Sequence, residues 1–335
     1  MSPLHAVARW RQVVCLTVVA RFVATGAGII LGTALASTSV AAASAADAAR
    51  SQVALTFDDL PNHGGLPPGL TRSDVARTLI AALQQRRVAP SYGFVNAQGL
   101  KDGEDQLQVL RLWRAAGYLL GNHAFSHMDL NEHSVDDFAN DVLANEPTLR
   151  EFMAGADWRW FRFPYLHQGE TAEKRQAVAA FLRERGYRIA EVTLNFDDWA
   201  YNGPYARCSA EGDAAALEWL KQSYLEQAAA AVEQGRREAR VLVGRDIRHV
   251  MLLHIGAMTA AMMPRLLDLL ERERFDVVEL PQAAADPVYA TVPEQATRDG
   301  LTLLEQLRRA RTGDARPTAE PTLPRPFEKL AALCQ

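Results

Sequence analysis

Short apolar runs alternate with longer amphipathic runs along the chain from Ser51 onward. The short runs have the length and composition of buried β-strands, and the longer runs repeat apolar residues at the spacing of a helix face. We predict strands at residues 53–57, 91–95, 118–122, 160–164, 189–194, 250–254 and 277–280. We predict helices between them at residues 72–87, 104–116, 135–152, 173–186, 214–236 and 260–273.

This alternation predicts an α/β fold. Strands that alternate with helices form a parallel sheet, because two parallel neighbours need a crossover connection. Seven strand–helix units in one run favour a closed or nearly closed (β/α) barrel over an open sheet. The expected main domain covers residues 47–286.

The two ends of the chain depart from the alternating pattern. Arg9 and Arg11 precede an apolar stretch, and small residues fill 40–46, which is typical of a signal peptide over residues 1–46. A retained membrane anchor is the alternative, since the uncharged run approaches spanning length. Residues 287–335 combine a helix-like run at 301–310 with several prolines, so we predict an extension with a Pro-rich linker.

Charge and cysteine content narrow the class of protein. The net charge of −4 over 335 residues gives no sign of nucleic-acid binding. With the signal peptide removed, the protein is expected to be exported to the periplasm or the outside of the cell, without stable membrane insertion. Cys208 and Cys334 would remain. Two cysteines can pair in an oxidising compartment, but Cys208 falls in an expected loop at 199–212 and their spacing leaves the pairing open.

Polar side chains cluster at the carboxyl ends of the predicted strands, where the active face of a parallel barrel lies. Five strands contribute to this rim. The residues are Asp58 and Asp59, His123 and His127, Arg162 and Tyr165, Asp197, Asp198 and Trp199, and His254. A scatter of unrelated polar residues would not follow the direction of the strands in this way.

Three of these residues are a candidate metal site. His123 and His127 are four positions apart, and Asp59 would complete a set of two histidines and one carboxylate. Such a set suits Zn²⁺, and also Co²⁺, Mn²⁺ or Ni²⁺. The alternatives are a pair of surface histidines and an Asp pair that forms a turn before Pro61.

Further rim residues are candidates for catalysis. Asp58 could take a proton from water, and Arg162 could orient Asp58 or form a purely structural ion pair. His254 is a candidate general acid held by Asp198, or a buried core histidine. The sequence predicts an oxyanion-binding backbone amide near Tyr165.

Trp199, Leu252 and Leu253 are expected to line a small apolar pocket. His63, His133 and His167 are expected to make loop or substrate contacts at most.

Read in order, five segments resemble the polysaccharide deacetylase family, whose shared domain is the NodB homology domain of carbohydrate esterase family 4. The resemblance covers about residues 52–280. The segments are Thr56-Phe57-Asp58-Asp59, His123-Ala124-Phe125-Ser126-His127, Arg162-Phe163-Pro164-Tyr165, Asp198-Trp199 and Leu252-Leu253-His254. It implies a distorted (β/α) barrel with fewer than eight strands.

The resemblance also implies a role for each residue. Asp58 would be the catalytic base, and Asp59, His123 and His127 the metal ligands. Arg162 would orient the base, Tyr165 would supply the oxyanion-binding amide, and His254 would be the acid tuned by Asp198. Two positions differ from the usual pattern: Asn195 replaces an Asp, and Leu166 replaces a Gly.

The resemblance thus implies a metal-dependent hydrolase that removes N-acetyl groups from amino-sugar polymers or oligomers, such as peptidoglycan or chitin-like glycans. The bond cleaved would be a linear amide, and the partner an acetylated glycan. Two alternatives stay open. One is O-deacetylation or hydrolysis of another amide, and the other is a glycan-binding module without activity.

Overall fold

Parallel strands form one curled sheet in the computed structural model, which describes residues 50–316 and 323–335. The described strands are β1 (Ser51–Leu60), β2 (Tyr92–Val95), β3 (Leu119–Asn122), β4 (Trp160–Phe161), β5 (Arg188–Ile189), β6 (Arg248–His254) and β7 (Phe275–Val277). The predicted signal peptide lies outside the described residues.

Helices connect the strands, as the sequence pattern predicted. Those described are α1 (Arg72–Gln85), α2 (Glu104–Ala115), α3 (Val135–Phe152), α4 (Ala172–Glu184), α5 (Asn202–Glu211), α6 (Ala214–Val243), α7 (Ala257–Arg272), α8 (Leu280–Ala284), α9 (Leu303–Thr312) and α10 (Phe327–Ala332). Within the described ranges, no helix combines the length and the apolar character needed to cross a membrane.

The sheet has the strand order β5-β4-β3-β2-β1-β6, and β7 pairs with the start of β1. Every pairing is parallel. A parallel bridge between Leu194 and Met251 links the chain after β5 to β6, so the two ends of the row approach each other. The predicted barrel with about seven parallel strands is confirmed, and its strand ends share one rim.

Two apolar layers line the two faces of the sheet, because side chains alternate between faces along a strand. Ala54, Phe94 and Val250 belong to the inner layer. Phe57 and Leu253 belong to the outer layer, between the sheet and the helices. Both faces are therefore covered, which explains the nearly continuous apolar sequence of β1.

Several predicted elements were wrong at their ends. The seventh strand ends at Val277, and Leu280 begins α8 with Pro281 in its first turn. The fifth strand ends at Ile189, and the chain beyond it meets β6 only near Leu194. Helix α6 continues past its expected end to Val243, because Gly235 lets it approach Leu194: an added Cβ would lie 2.2 Å from Leu194 Cδ2.

The expected loop at 199–212 was also wrong, since it contains α5, and Cys208 lies on that helix. Asn202 has its side chain fully buried and accepts a hydrogen bond from the Met258 N–H at 2.9 Å, at the start of α7. An Asn-Gly-Pro sequence is typical of a turn. Here this tertiary contact outweighs that local preference.

The C-terminal residues pack against the barrel domain. Leu303, Leu304 and Leu307 of α9 form an apolar cluster with Ala239 and Leu242 of α6. Cys208 of α5 forms a disulfide with Cys334. The structure thus settles the cysteine pairing that the sequence left open.

Candidate active site

The strand ends bring the predicted site residues together at the rim. Asp58 and Asp59 lie near the end of β1, and His254 ends β6. His123 follows β3 directly, and Arg162 follows β4 directly. Tyr165 and Asp198 lie in short 3-10 turns that follow β4 and β5.

Asp59, His123 and His127 form a cluster that could hold a metal ion, with one ligand atom from each residue within 4.8 Å of the others. Asp59 Oδ1 lies 3.5 Å from His123 Nε2 and 3.4 Å from His127 Nε2. It is buried and accepts no hydrogen bond from the described residues. Ligands at about 2.1 Å from a tetrahedral Zn²⁺ are about 3.4 Å apart. The residues present therefore fit a metal ion.

The hydrogen bonds and surroundings of the two histidines suit metal binding. His123 Nδ1 lies 2.8 Å from the backbone oxygen of Arg162, which can only accept a hydrogen bond. His123 therefore carries its proton on Nδ1 and presents the lone pair of Nε2 toward Asp59. Burial, together with the neighbouring His123, lowers the pKa of His127 to about 4. His127 is accordingly neutral, as a metal ligand must be.

His63 is a residue of the site whose role the sequence analysis missed. Its Nδ1 lies 2.6 Å from Asp59 Oδ2, and its Nε2 lies 3.4 Å from the backbone oxygen of Trp199. Burial acts to raise the pKa of Asp59, but the His123 and His63 imidazoles hold it well below its usual range. The spacing of four residues from Asp59 across Pro61 was the available signal.

Several non-glycine residues at the rim have positive φ angles. The values are 65° at Asp59, 59° at His127, 57° at Tyr165 and 59° at Asp197. This left-handed region is unfavourable for residues with a Cβ, and such conformations concentrate at functional sites. At Asp59, the unusual backbone occurs directly after Asp58, where two adjacent carboxylates serve one site.

Asp58 is buried beside the metal cluster and is held by Arg162. Arg162 Nη1 donates to the two carboxylate oxygens of Asp58 at 3.3 and 3.4 Å, and Nη2 donates to Thr56 Oγ1 at 3.1 Å. Arg162 Nε also donates to the backbone oxygen of Ala190 at 2.7 Å. Asp58 Oδ2 lies 3.7 Å from His123 Nε2. Arg162 thus fixes the orientation of Asp58 toward the metal cluster.

His254 is paired with a fully buried carboxylate. His254 Nδ1 donates to Asp198 Oδ1 at 2.8 Å, and Asp198 Oδ2 accepts from the His254 backbone N–H and from Thr259 Oγ1. Burial alone would lower the pKa of His254, but Asp198 outweighs it and raises the pKa to about 9. The imidazole is therefore protonated at neutral pH, with Nε2 free to give up a proton.

The expected apolar pocket needs one correction. Leu252 and His254 share a face of β6 with Thr56 and Asp58 of β1. Leu253 has the opposite orientation and is fully buried in the outer layer, so it cannot line the pocket. Leu252 and Trp199 remain as candidates, and Trp199 is 46% exposed.

The two positions that differ from the family pattern are both near the rim. Asn195 forms a turn with Asp197: its side-chain oxygen accepts from the Asp197 N–H at 2.9 Å. It is thus directed at its own turn, and the buried carboxylate beside His254 comes from Asp198. Leu166 has a φ of 57° and follows Tyr165 in the same turn.

A cavity of about 390 Å³ opens beside the metal cluster. Its lining includes Asp59 and His127 and the side-chain amides of Asn62, Asn96 and Gln98. Amides can donate and accept hydrogen bonds at once, which suits a ligand that carries hydroxyl and amide groups.

Part of the chain matches a known protein family. Residues 45–189 match the family model described as polysaccharide deacetylase. The matched segment contains Asp58, the three candidate metal ligands and the Arg162–Tyr165 turn, while Asp198 and His254 lie beyond it. This part of the chain is similar to the polysaccharide deacetylase family, in line with the resemblance of its motifs.

Two curated relatives match part of the chain. A peptidoglycan-N-acetylglucosamine deacetylase of Bacillus cereus is 25% identical over 150 residues, which are 45% of this chain and 47% of the relative. A chitin deacetylase of Arthroderma benhamiae is 24% identical over 152 residues, which are 45% of this chain and 36% of the relative. The matches thus span less than half the length of these relatives.

A solved structure shows the same kind of fold. The chitin deacetylase from the fungal pathogen Colletotrichum lindemuthianum superposes with a TM-score of 0.50 and 21% identity, over 71% of this chain and 89% of that chain. At this identity the likeness concerns the barrel alone.

Proposed function

We propose that the protein is a metal-dependent hydrolase that removes N-acetyl groups from amino-sugar polymers or oligomers, such as peptidoglycan or chitin-like glycans. One observation carries the proposal. A cluster of three metal-ligating atoms has a buried carboxylate, Asp58, beside it and an imidazole with a raised pKa, His254, on the neighbouring strand. The names of the two curated relatives support the choice of an N-acetylated glycan.

Asp59, His123 and His127 would hold the ion. We choose Zn²⁺ among the divalent metals that suit this donor set, which include Co²⁺, Mn²⁺ and Ni²⁺. Bound there, the ion would polarise the acetyl carbonyl and make a water molecule more acidic. Asp58, oriented by Arg162, accepts a proton from this water while the water oxygen attacks the carbonyl carbon. The Tyr165 backbone N–H donates to the developing oxyanion.

His254 completes the reaction as general acid. Its Nε2 gives a proton to the amide nitrogen as the C–N bond breaks, and Asp198 stabilises the imidazolium before this step. The products are acetate and a free amine on the sugar. Leu252 and Trp199 supply apolar surface for the acetyl methyl group.

The experiment is acetate release by the purified mature protein from N-acetylglucosamine oligomers, peptidoglycan and O-acetylated xylan, with and without a chelator. We expect release from the N-acetylated glycans that a chelator stops and added Zn²⁺ restores. Release from xylan alone would establish an O-deacetylase. Glycan binding without any acetate release would establish a binding module.

We also propose that the protein is exported. The sequence of residues 1–46 is typical of a signal peptide. The disulfide between Cys208 and Cys334 supports this proposal, because such bonds persist in oxidising compartments. Cell fractionation with an antibody against the barrel domain tests it, with the periplasm or culture medium as the expected location.

A further inference from the structure

Two exposed aromatic rings lie side by side next to the proposed active site. Trp199 and Phe327 stack with their ring centres 6.0 Å apart and their planes 28° apart. Trp199 is 46% exposed and Phe327 is 42% exposed. Trp199 directly follows Asp198, whereas Phe327 begins α10 in the C-terminal extension. We call these two residues the aromatic pair.

The chain around Phe327 is anchored at several points. Arg325 donates to Asp197 Oδ2 at 2.7 Å, to the Asn195 backbone oxygen at 2.7 Å and to Gln227 Oε1 at 2.8 Å. Leu330 is buried in the core of the barrel domain. The exposed ring of Phe327 is therefore carried by a segment with little freedom to move.

Two more anchors hold the end of this segment to α5. Cys334 is bonded to Cys208. Arg207, one residue before Cys208, donates to the backbone oxygens of Leu330, Leu333 and Cys334. These contacts hold the segment in place while leaving Phe327 available to a ligand.

The aromatic pair is continuous with the catalytic machinery. The backbone oxygen of Trp199 lies 3.4 Å from His63 Nε2, and His63 Nδ1 lies 2.6 Å from the metal-ligating Asp59. Asp198, the partner of His254, precedes Trp199. Because the centres of the two rings are 6.0 Å apart, a sugar unit that contacts Trp199 also lies close to Phe327.

A sugar ring is the ligand that suits such a surface beside an amide-hydrolysing site. A pyranose presents a face of C–H groups with partial positive charge, and an aromatic ring presents a face of negative charge. Hydroxyl groups at the edge of the sugar stay in water, so a half-exposed ring is sufficient. An extended peptide would need backbone or pocket partners that two exposed rings do not provide.

We propose that Phe327, together with Trp199, forms a subsite for a sugar unit neighbouring the one that is deacetylated, and that this subsite makes the enzyme prefer oligomers over short substrates. This inference rests on the proposed function, which it extends to the length of the substrate. The C-terminal extension then contributes directly to substrate binding.

The test measures binding of an N-acetylglucosamine pentamer by calorimetry in a Zn²⁺-loaded Asp58→Asn background, in which hydrolysis does not consume the ligand. Adding Phe327→Ala should weaken binding about tenfold, the effect expected for one lost aromatic contact. Adding Phe327→Trp, which keeps an aromatic face, should retain affinity. Leu323→Ala is the matched control, because Leu323 is also exposed on this segment and should leave affinity unchanged.

Kinetics in the Asp58-containing enzyme provides a second readout. Phe327→Ala should raise KM for the pentamer far more than it lowers kcat. It should change KM for the N-acetylglucosamine dimer less. The subsite is overturned if the Asp58→Asn protein binds the pentamer equally well with and without Phe327→Ala. It is also overturned if the Asp58→Asn protein does not bind the pentamer. If wild type releases no acetate but Phe327→Ala still binds the pentamer about tenfold more weakly, the proposed function is overturned and the subsite remains supported.

Discussion

At the scale of single residues, side chains from the strand ends combine into one site, and His63 shows what sequence reasoning missed. The motif residues were predictable because each follows an apolar strand. His63 lies in a turn after Pro61, and only the folded chain brings its imidazole to Asp59 and to the Trp199 backbone. Likewise, Leu253 was misassigned because strand alternation, which places it outward, was not applied to it.

His63 is expected to support the metal site through Asp59. Replacing it in His63→Ala removes the hydrogen bond to Asp59 Oδ2, and loss of such a partner typically weakens metal affinity about 10- to 100-fold. Competition for Zn²⁺ with a fluorescent chelator measures the change. His133→Ala is the control, since His133 is exposed and its Nδ1 contacts the backbone oxygen of Asp129, away from the metal cluster. Equal affinity in both variants would show that His63 does not support the metal ligand.

The raised pKa of the His254 imidazole predicts the pH above which activity falls. Because its pKa is raised to about 9, the acid form exists below that value and is lost as the pH rises through it. A profile of kcat/KM against pH should therefore fall above about 9. In Asp198→Asn the cause of the raised pKa is removed, so the fall should move to lower pH. If the fall in kcat/KM stays at the same pH in this variant, another group causes it. Asp136→Asn is the control, because Asp136 is exposed on α3.

At the scale of elements, the apolar spacing predicted the long helices, which pack one face on the barrel. Short continuous apolar runs predicted the strands, which are covered on both faces. Elements that depend on distant contacts were harder to predict. Helix α5 begins at Asn202, which is held by α7, and α6 continues through Gly235 because Leu194 packs there. Helix α10 is positioned by Arg325 and Cys334, whose partners Asp197 and Cys208 lie more than a hundred residues away.

The C-terminal extension also touches the turn that carries Tyr165. A Cβ added at Gly300 would lie 2.0 Å from the Tyr165 backbone oxygen, so Gly300→Ala must displace that turn. We expect the free energy of unfolding to fall by about 1–3 kcal/mol, and kcat to fall by up to about 100-fold as the oxyanion-binding amide moves. Thermal unfolding and acetate release measure the two effects.

Gly65→Ala provides the matched control, since its added Cβ would make an ordinary contact at 3.4 Å with Ala206. Its thermal unfolding and its kcat should match those of wild type. A Gly300→Ala variant with wild-type kcat would show that the extension does not control the Tyr165 turn.

At the scale of the whole molecule, a disulfide links the barrel to the C-terminal extension. The Cys208–Cys334 disulfide closes a long loop, with a sequence separation of 126 residues. Such a crosslink stabilises a folded protein by about 2–4 kcal/mol. Cys334→Ser should therefore lower Tm, and reductant should lower Tm of wild type to the same value. A wild-type Tm that does not respond to reductant would contradict this role.

The central claim is that Asp58 acts as the base beside a metal held by Asp59, His123 and His127. The most direct test compares acetate release from an N-acetylglucosamine oligomer by wild type and Asp58→Asn, with metal content measured on the same samples. We expect equal metal content in the two proteins and no detectable acetate release by the variant. Acetate release at the wild-type rate by Asp58→Asn would contradict the central claim.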